Sequence, residues 1–151
     1  MTPTYARVML DKTGQFWTGS DFTDLAAYLS AYTAENYPAE KILQIKCECG
    51  STELRIQLDD DEGCARRTCN DCGESRFVAD SGEYWDDAAP GDGQCPCGHE
   101  VFNLGVGYSH REDGDIRWIT VGARCVECGV LGAYVDWKID YSPTAHLYEP
   151  S

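Results

Sequence analysis

The hydrophobic period changes once along this chain. In SDFTDLAAYLSAYTAENYP, positions 20–38, Phe22, Leu25, Leu29 and Tyr32 follow one another at spacings of three, four and three. That is one face of a helix. Ser20 is the expected N-cap, with Asp21 and Asp24 in the first turn, where carboxylates meet the positive end of the helix dipole. Pro38 lies beyond the end. The stripe reads as a core face that covers a sheet. Ahead of it, YARVML predicts a short strand and DKTG a turn. From position 41 the period falls to two. Leu54, Ile56 and Leu58 alternate with Glu53, Arg55 and Gln57, a half-buried strand. Phe102, Leu104, Val106 and Tyr108 are expected on one face of a second strand. Leu131, Ala133, Val135, Trp137, Ile139 and Tyr141 are expected on one face of a third.

Turn signals join these runs. REDGD at 111–115 places Asp-Gly between two alternating segments, a strong hairpin signal. DDDEG at 59–63 falls where a hairpin tip belongs; it lacks the spaced oxygen ligands and closing Glu of a calcium loop and reads as a solvated turn. GEYWDDAAPGDGQ at 82–94 is acidic and Gly-rich with one Pro, the composition of a linker. The fold class expected is mainly β, a small α+β arrangement. Its parts are a strand–helix head at 1–38, a β unit at 39–81, the linker at 82–94, a second β unit at 95–141 and a tail at 142–151.

The two β units repeat one cysteine grammar. CECG at 47–50 is followed by CNDCG at 69–73, and CPCG at 95–98 by CVECG at 125–129. Nineteen residues separate Cys49 from Cys69, and twenty-seven separate Cys97 from Cys125. The extra length is expected in a longer second hairpin, where insertion costs little. Four thiolates about 2.3 Å from a Zn²⁺ lie roughly 3.8 Å from one another. Cysteines at i and i+2 of an extended chain point the same way and can meet on one metal, and an i, i+3 pair does so around a tight turn. Gly50, Gly73, Gly98 and Gly129 each follow the second cysteine of a pair. There a positive φ bends the chain back and aims N–H groups at sulfur, and glycine adopts it without steric cost. Pair order assigns Cys47, Cys49, Cys69 and Cys72 to one structural Zn²⁺ and Cys95, Cys97, Cys125 and Cys128 to another.

Both β units resemble the zinc-ribbon superfamily: a metal knuckle, a β excursion, a second knuckle and a small antiparallel sheet between. The resemblance covers 41–81 and 93–141 and leaves out the head and the acidic linker. It implies metal and fold rather than a particular activity, because zinc ribbons serve transcription, translation, docking and enzyme scaffolding alike. The first knuckle of each unit departs from the usual form, C-x-C in place of C-x-x-C. Tandem repeats of this kind are expected to pack against each other.

Other readings of the cysteines are weaker. A redox C-x-x-C needs no second pair at ribbon distance. Iron accepts four thiolates, but the short C-x-C pair is unlike rubredoxin-type knuckles. Four disulfides would require an oxidising compartment, for which MTPTYARVML, with one Arg and no long apolar stretch, gives no export signal. A cytoplasmic location is expected. The ninth cysteine, Cys64, corresponds in the repeat to Thr120 and is expected to be an unligated thiol. His99 follows CPCG and is a less favoured substitute ligand.

Composition narrows function only a little. The formal net charge is −14 over 151 residues. Eight thiolates and two divalent ions would take it to −18. Such a field repels phosphate and attracts basic surfaces, or serves solubility alone. No catalytic constellation is found: His99, His110 and His146 are scattered, and there is no phosphate-binding loop or nucleophile elbow. Asp136, Lys138 and Asp140 form a polar face that solvation explains as well as chemistry does. No stretch is apolar and long enough to span a membrane. Three functions remain: a non-catalytic module whose zincs hold a protein-docking surface; an acidic inhibitor or immunity-type protein that blocks a basic enzyme; and a nucleic-acid binder. The last is disfavoured by charge and supported locally by Arg66, Arg67 and Arg76 around the first C-x-x-C.

Overall fold

The structure is a computed structural model and describes residues 16–149. The strand expected in YARVML lies outside the described residues. Helix α1 spans Phe22–Thr33. The strands are β1 (Lys41–Gln44), β2 (Leu54–Asp59), β3 (Cys64–Cys69), β4 (Ser75–Phe77), β5 (Gly91–Asp92), β6 (Phe102–His110), β7 (Ile116–Cys125) and β8 (Leu131–Lys138). They form one antiparallel sheet in the order β4-β3-β2-β6-β7-β8, with β1 paired to β6 and β5 to β2. The added length of the second unit does lie in its hairpin: β6 and β7 have 9 and 10 residues where β2 and β3 have 6 each.

The two hairpins of the repeat meet at one residue pair, Leu54↔Phe102, and β1 of the first half pairs with β6 of the second from Lys41↔Tyr108 to Gln44↔Gly105. They also share a core. Leu54, Ile56, Ala65 and Val78 from the first half are buried in one cluster with Phe102, Leu104, Val106, Tyr108, Ile119, Val121, Val135 and Trp137 from the second. Asp80 adds a polar tie across it: its carboxylate accepts from Trp137 Nε1–H at 3.1 Å and from the Tyr141 hydroxyl at 2.7 Å.

Helix α1 covers the opposite face of the second half. Its N-cap is Asp21 rather than Ser20: the Asp21 carboxylate accepts from Asp24 N–H at 3.1 Å, while Asp24 reaches back to Ser20 N–H at 2.7 Å. The first bond satisfies an amide the helix leaves open, and the second fixes the chain that enters it. Leu25 and Leu29 are fully buried against Leu131 and Ala133. They can approach because two facing positions of the sheet beneath carry no side chain: Gly105 and Gly122 are cross-strand partners, and a Cβ on Gly122 would fall 2.6 Å from Leu29 Cδ2.

Three further local expectations are corrected. Tyr32, expected in the helical core stripe, is 53% exposed, and Thr33 is buried instead. Thr33 Oγ1 donates to Leu29 O at 2.9 Å and accepts from Ala39 N–H at 3.0 Å. Secondly, the run from Leu131 to Tyr141 does not keep one face. Val121 pairs Val135 and Gly122 pairs Ala133, so Tyr134 is an extra residue. Such a bulge reverses the alternation: Leu131 and Ala133 face the helix, and Val135, Trp137 and Ile139 face the main core. Thirdly, the stretch read as a linker is laid back on the first half. Gly91 and Asp92 pair with β2, Gly93 N–H donates to Ile56 O at 2.8 Å, and Trp85 packs edge-on against Phe77.

Candidate metal centres

Each tetrad is assembled the same way. Cys47 and Cys49 lie between β1 and β2, Cys69 ends β3, and Cys72 lies in the turn before β4. Cys95 and Cys97 lie between β5 and β6, Cys125 ends β7, and Cys128 precedes β8. The backbone repeats bond for bond. Cys47 N–H donates to Ser51 O and Cys95 N–H to His99 O, while Gly50 N–H returns to Cys47 O and Gly98 N–H to Cys95 O. In the longer words, Cys69 N–H donates to Glu74 O and Cys125 N–H to Val130 O, closed by Gly73 N–H to Cys69 O and Gly129 N–H to Cys125 O. Gly50, Gly73, Gly98 and Gly129 all have φ between 80° and 100°, where a Cβ is strained. The result is the expected aim at sulfur, delivered one residue later. The N–H groups of Ser51, Glu74, His99 and Val130 turn toward the second cysteine of each pair.

The four sulfurs of each tetrad lie within 4.8 Å of one another. The contacts are 3.5 Å for Cys47–Cys72, 3.6 Å for Cys49–Cys69, 3.4 Å for Cys95–Cys128 and 3.6 Å for Cys97–Cys125. These are far longer than a disulfide bond of about 2.05 Å, and all nine cysteines are free. They approach the edge of a thiolate tetrahedron around a metal, roughly 3.8 Å. Both tetrads could therefore hold a metal ion. In each, the first and third cysteines are buried and the second and fourth exposed. One thiol per tetrad is already acidic. Cys69 falls to about 6, chiefly because the Cys72 N–H donates to its sulfur. Cys97 falls to about 6 through the His99 N–H and then the His99 ring. Burial pushes Cys95 and Cys128 up. Crowding sulfurs together lets one thiolate form readily and makes its neighbours resist.

The remaining candidates fall outside the tetrads. Cys64 is fully buried on β3, and burial raises its pKa. His99 Nδ1 lies 3.4 Å from Cys97 Sγ, beside the second tetrad. His110 is bound to Glu40 and the Tyr148 hydroxyl, at 2.9 and 2.6 Å. The arginines around the first C-x-x-C are spent inside the molecule. Arg66 bonds Gln57 and lies over the Trp85 ring; Arg67 is buried against Glu149 at 3.2 Å; Arg76 bridges Glu48 and Glu74 at 2.6 and 3.2 Å. That last bridge ties the CEC word to β4 beside Cys47, whose sulfur is 3.8 Å from Glu74 Oε1. Only the signs of the charges hinted at it in the sequence, since residues 48, 74 and 76 meet through the fold.

No protein-family model, curated protein or solved structure matches the chain. Among the described residues, no helix is long and apolar enough to cross a membrane.

Proposed function

We infer that this is a non-catalytic zinc protein in which two structural four-cysteine sites, each built as a zinc-ribbon knuckle pair, hold a surface that docks another protein. The observation that carries this is the matched pair of tetrads. Eight thiols converge in two sets of four, with the same backbone bonds in each. Four thiolates close the coordination of a tetrahedral ion and leave no position for substrate, as structural rather than catalytic zinc requires. Nine unpaired thiols suit a reducing, cytoplasmic setting.

A second reading, an acidic inhibitor of a basic enzyme, draws on one further arrangement. The Asp59 carboxylate accepts from Ala89 N–H at 2.9 Å, which ties the segment that follows the exposed Asp86 and Asp87 to the turn that carries the exposed Asp60, Asp61 and Glu62. Binding to nucleic acid loses its local support, because Arg67 is buried and Arg76 is paired to carboxylates.

Elemental analysis of the purified chain tests the metal half: two Zn²⁺ per chain are expected. Cys49→Ser and Cys97→Ser should each lose one, and Cys64→Ser none. One metal per chain, or mostly iron, overturns the assignment. Native capture at low and high salt tests the docking half, since a partner held by charge is released on screening while an apolar dock persists.

A further inference from the structure

Strand β8 is an edge of the sheet. Its first half is covered by this chain. Gly19 N–H donates to Gly129 O at 2.9 Å, Leu131 N–H donates to Trp17 O at 2.8 Å, and the Tyr28 hydroxyl meets the Ala133 amide. Among the described residues the cover then stops. Ile139 N–H donates inward to Arg117 O at 2.9 Å. In an antiparallel ladder, hydrogen-bonded and non-hydrogen-bonded pairs alternate. With Lys138 opposite Trp118 and Asp136 opposite Thr120, the N–H and C=O groups of Asp136 and Lys138 therefore point away from β7. Among the described residues, nothing bonds them.

An open edge of this kind is a template for another strand. The side chains there say which. Asp136 and Lys138 carry opposite charges on successive outward-facing residues. A uniformly basic segment would satisfy Asp136 and oppose Lys138. An antiparallel copy of the same strand satisfies both. With a twofold axis through Trp137, Asp136 of each chain lies opposite Lys138 of the other, and each such pair exchanges two backbone hydrogen bonds. Apolar surface stands ready beside the edge: Tyr32 is 53% exposed and Tyr37 40%, and Tyr37 stacks on Trp118 at 4.6 Å. Tyr32, Tyr37, Trp118 and Asp136 line a cavity of about 290 Å³ on that side.

We propose that β8 pairs with β8 of a second copy of this chain, antiparallel about Trp137, so that the sheet runs continuously through a twofold dimer. The inference does not depend on which metal fills the tetrads. The repulsion between two chains of formal charge −14 opposes it at long range. Salt screens that term over about 8 Å at physiological ionic strength, while contacts at the ladder lie within the screening length.

The test is sedimentation equilibrium of the metal-loaded full chain from about 1 µM to about 1 mM, a range that spans weak to moderate association. A monomer–dimer equilibrium is expected. Asp136→Lys alone and Lys138→Asp alone should each weaken it by about tenfold or more, because each replaces two attractive cross-strand pairs with two repulsive ones. The double exchange Asp136→Lys/Lys138→Asp restores complementarity about the same axis and should recover the dimer. Amide exchange at 136 and 138 should slow in proportion to the dimer fraction. A chain that stays monomeric overturns the proposal, as does a dimer indifferent to the single reversals. Protection of both amides in the monomer overturns it too, and assigns the edge to a segment of the same chain. Free exchange at every concentration overturns it and leaves the edge for a different protein.

Discussion

Leu54 and Phe102 face each other across the join between the halves, and they are the same residue of the repeat. Each lies five positions after the second cysteine of its own first pair, and each pairs on its other side with the third cysteine of its own tetrad, Leu54 with Cys69 and Phe102 with Cys125. An antiparallel pair of equivalent residues defines a local twofold axis, as an isologous interface does between subunits.

The two candidate metal sites should therefore not be independent. Phe102 is fully buried, and Phe102→Ala should cost about 3–5 kcal/mol. Metal loss to a chelator should quicken at both sites, followed as two signals in ¹¹³Cd-substituted protein. Acceleration at the second site alone would show that the shared core does not couple them.

Leu29 rests on Gly122 with no space between them. Gly122→Ala puts a Cβ 2.6 Å from Leu29 Cδ2 and should destabilise the protein by about 1–3 kcal/mol through overpacking. In Leu29→Ala the same substitution should cost much less, because the obstructing side chain is gone. A double-mutant cycle by denaturant unfolding of the metal-loaded chain measures the coupling.

The Arg67–Glu149 pair carries a pH signature. Burial holds the Glu149 carboxyl above its ordinary value of 4.5, outweighing the attraction of Arg67. A raised folded pKa means that the stability linked to this group is fully present below the unfolded value and is lost as pH rises through the folded value. At pH 7 Glu149→Gln removes a carboxylate that burial disfavours but leaves the buried Arg67 guanidinium without its counter-charge, and it should lower stability. Arg67→Met, which strands the carboxylate, should lower stability by about 3–5 kcal/mol. A carboxyl NMR titration should place the Glu149 midpoint above 4.5, and higher still in Arg67→Met.

The acidic surface is best probed without Asp59. That side chain caps its own turn, accepting from Asp61 N–H at 3.0 Å as well as from Ala89 N–H, so its loss would disturb structure. Asp60→Asn/Asp61→Asn removes charge from the exposed tip alone. If charge selects the partner, association should slow more than dissociation quickens, because rim charges act mainly on encounter. Unchanged association kinetics after neutralising the tip, and separately Asp86 and Asp87, would leave the acidity as a solubility feature.

The sequence determined the parts that short-range rules control. Cysteine pairs with a glycine behind each fix local chain direction within five residues, and the four knuckles fold as those words require. The alternation in Leu54–Ile56 and in Phe102–Tyr108 marks buried strand faces directly. The tertiary structure decided what depends on neighbours. Tyr32 keeps the helical spacing but overhangs the β8 edge, so its place in the stripe did not bury it. A single bulge at Tyr134 turned Leu131 and Ala133 toward the helix, and no residue type announces a bulge that register with a partner strand creates. The composition of 82–94 is that of a linker, yet Gly93, where a Cβ would fall 2.5 Å from Ile56 Cγ2, lets that backbone close on β2 and spend its donor there. The arginines that looked like a nucleic-acid surface were claimed by Gln57, Glu149, Glu48 and Glu74. Periodicity and spacing register what one segment prefers; whether a charge is free, a face is covered or an edge is open is set by which segments meet.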